Sequence, residues 1–224
     1  MGSQLTAEEI KQKFVKSYPQ DSGLLAYYLW NDIAHLHQNW KNYRIFYGTD
    51  QETIELLNEL APSFFNSLQR ILRHEIILSI GRLTDPPYSG RNRKKENASI
   101  KKLLEEVTST LDSDVEKELQ KELKKLKKQT SKIRDLRNQI IAHSDLPTRL
   151  ELRSDPLPGI SRAEIEETLV TIRKIFTKIE KEFTGSTSYF EGVVTTDDAN
   201  SIIGYLKTAR KYHEEEYKRL KGIE

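Results

Sequence analysis

Cysteine is missing from all 224 residues. That excludes a disulfide framework, a thiol nucleophile, and any cysteine-ligated zinc or iron–sulfur centre. Most short catalytic signatures are missing too: there is no Walker-type glycine loop, no G-x-G-x-x-G, no H-E-x-x-H and no G-x-S-x-G. Those gaps speak against P-loop, dinucleotide, zinc-peptidase and serine-hydrolase chemistry. No apolar run approaches the roughly 20 residues of a membrane span, and the N-terminus lacks a signal-peptide core, so no membrane partner is expected and the cytoplasm is the expected location. Nor does one sign of charge dominate. Lysine and arginine number 36 against 34 aspartates and glutamates. Bulk charge therefore does not announce a nucleic-acid binder, and any RNA contact must come from local patches.

What the chain does have is charge on long amphipathic runs, with 31% charged and 36% hydrophobic residues. Thr6 with Glu9 forms a capping box opening a short helix through Ile10 and Phe14, broken at Pro19, Asp21, Ser22 and Gly23. A second helix is predicted from Leu24 to about Tyr47. A third, Thr53 to Leu83, is apolar around much of its circumference, and Pro62 implies either a kink or a restart. Tyr88 to Asn97 lacks periodicity and reads as a mobile basic loop. Ser99 to Leu111 is a short helix, followed by a long one from about Asp114. Asp145 to Gly159 reads as a crossing loop. Ser161 with Glu164 is a second capping box, opening a helix through Ile179. A strand is possible at Tyr189 to Val194, and Thr196 or Asp197 is expected to cap a last helix through Tyr217. Seven helical runs without a convincing strand pair predict an all-α, up-and-down bundle of about six to seven helices. The expectation is one domain over 1–224, with a core at about 24–183 and a C-terminal helix at about 197–222.

One stretch departs from simple amphipathic patterning. Leu119, Leu123, Leu126, Thr130, Ile133 and Ile140 form a stripe at helical spacing, and the position between the last two is Arg137. A guanidinium in an apolar seam is costly unless an anion meets it. Asn138 stands beside it and His143 six residues on. On a straight helix His143 lies about 120° round from Arg137 and about 9 Å along the axis. One helix closes both onto one phosphate only by bending or ending near Ala142; otherwise two copies must meet about a twofold axis and pool their residues. The plain alternative is that Arg137 snorkels to a carboxylate and His143 caps the helix end.

Other candidates are weaker. Arg82 and Asp85, three residues apart at the exit of the most apolar helix, read as an ion pair with each other or with a neighbouring segment, or as support for the Arg137 site. Arg91, Arg93, Lys94 and Lys95 are candidates for RNA-backbone contacts. His35 and His37 point about 200° apart on a helix and cannot chelate one ion together. No metal site and no cofactor is implied.

Arg137-Asn138 with His143 matches the arginine, polar residue, then histidine motif of HEPN domains. Trp40, Tyr43-Arg44-Ile45-Phe46, Leu56-Leu57-Asn58, Phe64-Phe65, Gly81-Arg82-Leu83-Thr84-Asp85-Pro86-Pro87 and Arg137 through Asp145 together resemble the abortive-infection U-type (AbiU2-like) branch of that family. The resemblance spans roughly Leu24 to Phe183. It implies an α-helical bundle, homodimerisation, and metal-independent RNA cleavage in defence or toxin–antitoxin systems, with an antitoxin or other defence protein as partner. Carried onto this chain, Arg137 and His143 become the catalytic pair and Asn138 the positioning residue. Relatives paired with a nucleotidyltransferase antitoxin carry a tyrosine two residues after the histidine; here Asp145 stands there. The alternative reading is a non-catalytic HEPN module that binds nucleotide or RNA.

Overall fold

A computed structural model of the protein describes residues 6–48, 50–138, 159–192 and 198–222. Nine α-helices lie among these residues: α1 (Ala7–Ser17), α2 (Ser22–Tyr47), α3 (Gln51–Leu60), α4 (Pro62–Thr84), α5 (Ile100–Val107), α6 (Ser113–Gln129), α7 (Ser131–Leu136), α8 (Arg162–Thr184) and α9 (Ala199–Lys221). The all-α expectation holds, with more helices than the six or seven predicted. Two predicted runs are each split in two. Ala61 leaves helical geometry at φ −156°, and Pro62, which has no N–H to donate, restarts the chain as the first residue of α4. Thr130 ends α6 at ψ 3°, its buried hydroxyl donating to the Leu126 carbonyl at 2.9 Å. A threonine that satisfies its hydroxyl on the preceding turn competes with regular helix geometry.

The described residues form two compact units. The first comprises residues 1–37 and 76–191, the second 38–75 and 192–224. In the first unit α6 and α8 pack side by side. The stripe Leu119, Leu123, Leu126, Thr130 and Ile133 is buried as expected, and Leu136 joins it; Ile140 lies outside the described residues. Opposite, α8 buries Ile165, Leu169, Ile172, Ile175, Phe176 and Ile179. Its predicted capping box is present, and Glu164 of that box also accepts from Lys132 of α7 at 2.7 Å. The Thr6–Glu9 box likewise opens α1. Gly23 proves to lie inside α2 rather than breaking a helix. The backbone of α1 passes so close that a Cβ there would sit 2.6 Å from the Phe14 carbonyl oxygen.

Tyr88 to Asn97 also departs from expectation. It holds a small antiparallel pair, β1 (Tyr88–Ser89) and β2 (Lys95–Glu96), joined by a 3-10 turn at Arg91–Arg93. Asn97 fastens its base, donating through Nδ2 to the Pro86 carbonyl and through its backbone N–H to that of Pro87, each at 2.8 Å. Period-two patterning cannot reveal strands of two residues. The strand entertained at Tyr189 to Val194 is instead a 3-10 turn at Phe190–Gly192, with Val193 and Val194 outside the described residues. That turn seats Phe190 against Phe176, edge to face at 5.9 Å, and against His37, stacked at 5.9 Å.

The second unit has its own core of Phe46, Leu57, Phe65 and Ala199, with Leu68, Leu72, Ile203 and Leu206 packed on it. Asp198, not Thr196 or Asp197, caps α9, accepting from the Asn200 N–H at 2.9 Å and pairing with Lys41 at 3.0 Å. The apolar residues that cover much of the circumference of the Thr53–Leu83 run are not all buried. Phe64 and Ile71 are more than half exposed, as are Tyr205, Tyr212 and Tyr217 of α9.

Removing the α8 cap by Ser161→Ala is expected to cost about 1 kcal/mol and lower the thermal midpoint by roughly 2–4 °C, with Ser161→Asp close to the parent. Thermal denaturation followed by circular dichroism checks it. A second expectation concerns pH. Burial, then the neighbouring Arg173 charge, pushes the His37 imidazole down to about 4, and its Nε2 has no hydrogen-bond partner among the described residues. A depressed folded-state pKa means that the unfolded chain binds the proton first. The stability associated with neutral His37 is therefore complete above its unfolded value near 6.5 and is lost as pH falls toward 4. From about pH 7 to about pH 5 the loss is on the order of 2 kcal/mol. Urea midpoints of His37→Phe should fall less over that interval than those of the parent.

Candidate functional site

The end of α4 and the end of α7 meet at one ion pair. In the last turn of α4 the buried Thr84 hydroxyl donates to the Ile80 carbonyl at 2.7 Å. Asp85 follows, and Pro86-Pro87 stops the helix, since proline offers no N–H and restricts the residue before it. At the C-terminal cap of α7, Arg137 donates through Nη1 to Asp85 Oδ1 at 2.8 Å, with the two side chains 18% and 23% exposed. The carboxylate expected to offset a guanidinium on that stripe is therefore Asp85, 52 residues earlier in the chain. Arg137 Nε donates to Asn138 Oδ1 at 3.2 Å, which fixes the plane of the guanidinium at a second point.

Arg137 reaches Asp85 by crossing the backbone of α4 at Gly81. A Cβ on Gly81 would lie 2.7 Å from Arg137 Cδ and 2.8 Å from its Nη1, distances that real side chains do not tolerate. Glycine inside a helix costs about 1 kcal/mol relative to alanine, and here the space it leaves is filled by the Arg137 side chain. Sequence reading gave Gly81 no role. The signal was available: a helical glycine one turn before Asp85, and so on the same face.

Arg134, one turn before Arg137, is also part of the site. Its Nη2 donates to the Thr84 carbonyl at 3.0 Å and to Thr130 Oγ1 at 3.1 Å. Its Nε is buried without a partner among the described residues. Burial and the nearby Arg137 charge press its pKa down while Asp85 opposes them, and an arginine stays protonated under such pressure. Two guanidiniums thus lie in the neighbourhood of Asp85, with Asp135 a further carboxylate acting on Arg134.

The predicted residues are therefore brought together only in part. Arg137, Asn138 and Asp85 form one contact group. Arg82 is exposed and donates to Ser79 Oγ at 2.9 Å, while Asp85 takes Arg137. Arg91, Lys94 and Lys95 are exposed on the small hairpin, and Arg93 closes its 3-10 turn. The hairpin is held at its root by Lys102, which lies 3.0 Å from Glu96 Oε1 and 4.9 Å above the Tyr88 ring. His143 lies outside the described residues. Among the described residues no group of three histidines or carboxylates is placed to hold a metal ion, and no helix is long and apolar enough to cross a membrane.

Comparison with known proteins adds one match. The HEPN_AbiU2 family model, described as AbiU2, matches residues 22–208, most of the chain. No curated protein and no solved structure matches it. The matched span includes the Asp85–Arg137 contact, Gly81 and the Arg137-Asn138 pair with His143, and on that match the chain belongs to the AbiU2 family of HEPN proteins.

Proposed function

We propose that the chain is a metal-independent endoribonuclease of a defence or toxin–antitoxin system, cytoplasmic and homodimeric, in which Arg137 and His143 act on RNA at the dimer interface. Membership of a HEPN family supports a nuclease or RNA-binding role in general terms. The observation that carries the finer reading is the condition of Arg137. Its guanidinium is held at Nη1 by Asp85 and at Nε by Asn138, yet the side chain is not fully enclosed. A guanidinium has five N–H donors. Among the described residues two are engaged, and the other three are available to a phosphate from a pre-set orientation.

In this reading His143 accepts the proton of the ribose 2′-OH as that oxygen attacks phosphorus, a role to which an imidazole is suited near neutral pH. The bond from phosphorus to the 5′-oxygen breaks, and the leaving oxygen takes up a proton. The products are a 2′,3′-cyclic phosphate and a 5′-hydroxyl. Arg137 stabilises the charge gathered on the phosphate oxygens, and Asp85 acts as a positioning residue through Arg137. A twofold axis that pairs the two sites would supply a second histidine to serve as the acid. RNA supplies its own nucleophile, so DNA resists. An antitoxin or another defence protein is the expected regulating partner.

The Asp85 contact also favours a second reading, a non-catalytic nucleotide- or RNA-binding module, because a carboxylate already neutralises the arginine. Cleavage assays in EDTA separate the two. Under the first reading His143→Ala lowers cleavage about 100-fold or more, DNA is left intact, and Arg137→Lys fails to restore the bidentate grip. Equal cleavage by the parent and His143→Ala, or none by the parent over a broad RNA panel, overturns it.

Gly81→Ala gives an independent check. Alanine improves helix propensity by about 1 kcal/mol but drives Arg137 out of its channel. The expected result is cleavage reduced by about 10-fold or more with the thermal midpoint within a few degrees of the parent. Full activity in that variant would mean that the channel is only packing.

A further inference from the structure

Charge pairing on α6 is uneven, and near its start Lys117 meets Asp114 at 3.0 Å. Toward α8, Glu118 pairs with Lys178, and Glu122 meets Lys174 at 2.7 Å. On another side, Lys124 and Lys127 have no carboxylate partner among the described residues. With Lys101 of α5 they line an open groove of about 230 Å³ floored by Leu104 and Leu123. Glu105 is the single carboxylate in that lining, set against three ammonium groups. A second hollow of about 370 Å³ shares Gln120 and Lys124 with the first and continues along α6 past Lys121.

Lys101 feels the charges of both the groove and the Arg137 site. It is half-buried, and its ammonium is held below the usual lysine range by burial, then by Arg134 and Lys127, with Asp85 opposing. Like charges gathered on a partly apolar wall raise the local potential and favour an incoming anion. From Lys117 to Lys127 along α6 the rise is roughly 15 Å, too long for one phosphate and suited to several in succession. No aromatic ring lines the groove, so it offers charge to a backbone and no platform for stacking bases.

Building on the ribonuclease reading above, we infer that the α5–α6 groove, through Lys101, Lys124 and Lys127, carries the phosphate backbone of the RNA strand that leads to Arg137. The groove is then the main contact outside the scissile site, and the hairpin cations are secondary. Its binding is independent of sequence and sensitive to salt.

The test measures fluorescence anisotropy of labelled RNA on the full chain carrying His143→Ala, which keeps the strand uncut. The triple variant Lys101→Gln/Lys124→Gln/Lys127→Gln is compared with Lys16→Gln/Lys125→Gln/Lys128→Gln, which removes equal charge elsewhere. At roughly physiological salt the groove triple should weaken RNA affinity about 10-fold or more and reduce the slope of log affinity against log salt by about 2. The control should change affinity less than about 2-fold. Lysine-to-arginine changes at the three groove positions should retain binding and exclude a folding defect. Equal weakening by both triples, or none by the groove triple, overturns the inference, as does absence of RNA binding by the parent. Failure of the ribonuclease reading looks different: RNA is held in a groove-dependent way, yet the chain with His143 intact cleaves nothing.

Discussion

Burial of the α6 stripe against α8 sets where everything after it falls. Leu119, Leu123, Leu126 and Ile133 have one apolar surface to meet, and once they meet it the rotation of α6 and α7 is determined. The next position on that stripe is Arg137. It cannot turn to solvent without dragging Leu136 and Ile133 from the core, so it must find a counter-charge at the core edge. Asp85 supplies one at the place where Pro86-Pro87 prevents α4 from continuing. The ion pair follows from the packing, and desolvation makes it directional, since a half-buried guanidinium tolerates few orientations.

How much of this was legible in the sequence depends on the range of the signal. Both capping boxes, the α6 stripe and the α8 core face were read correctly, because each is written within a few residues by a periodicity or a cap. Pro62 was legible as an irregularity, while the choice between kink and restart was made by packing. The break at Thr130 was not legible, because that threonine sits in phase with the stripe and its hydroxyl bond to Leu126 depends on burial. Phe64 and Ile71 looked like core residues by type and spacing yet are exposed, since helical periodicity says which residues share a face and not whether that face is covered.

The site divides along the same line. Arg137 was conspicuous as a charge out of pattern. Its partner Asp85 was one of two charged residues noted at the end of α4, but nothing local could choose between a pairing of Asp85 with Arg82 and one with Arg137. Gly81 and Arg134 went unassigned because their roles exist only once α4 and α7 lie against each other, the glycine as a channel and the arginine as a brace on the Thr84 carbonyl. Family resemblance named the motif, while the contacts among the described residues supply the surroundings that hold its arginine.

The two compact units are interleaved along the chain. The second is assembled from residues 38–75 and 192–224, and its borders fall inside α2 and α4, each a continuous helix. Neither unit is therefore a module in the genetic sense. A cut after His37 or before Ile76 would sever a helix in mid-run and expose up to four unpaired N–H or C=O groups at each new end. A truncation before α9 would strip Ala199, Ile203 and Leu206 from the core formed by Phe46, Leu57 and Phe65. Recombination at either border would accordingly break a helix rather than exchange a unit.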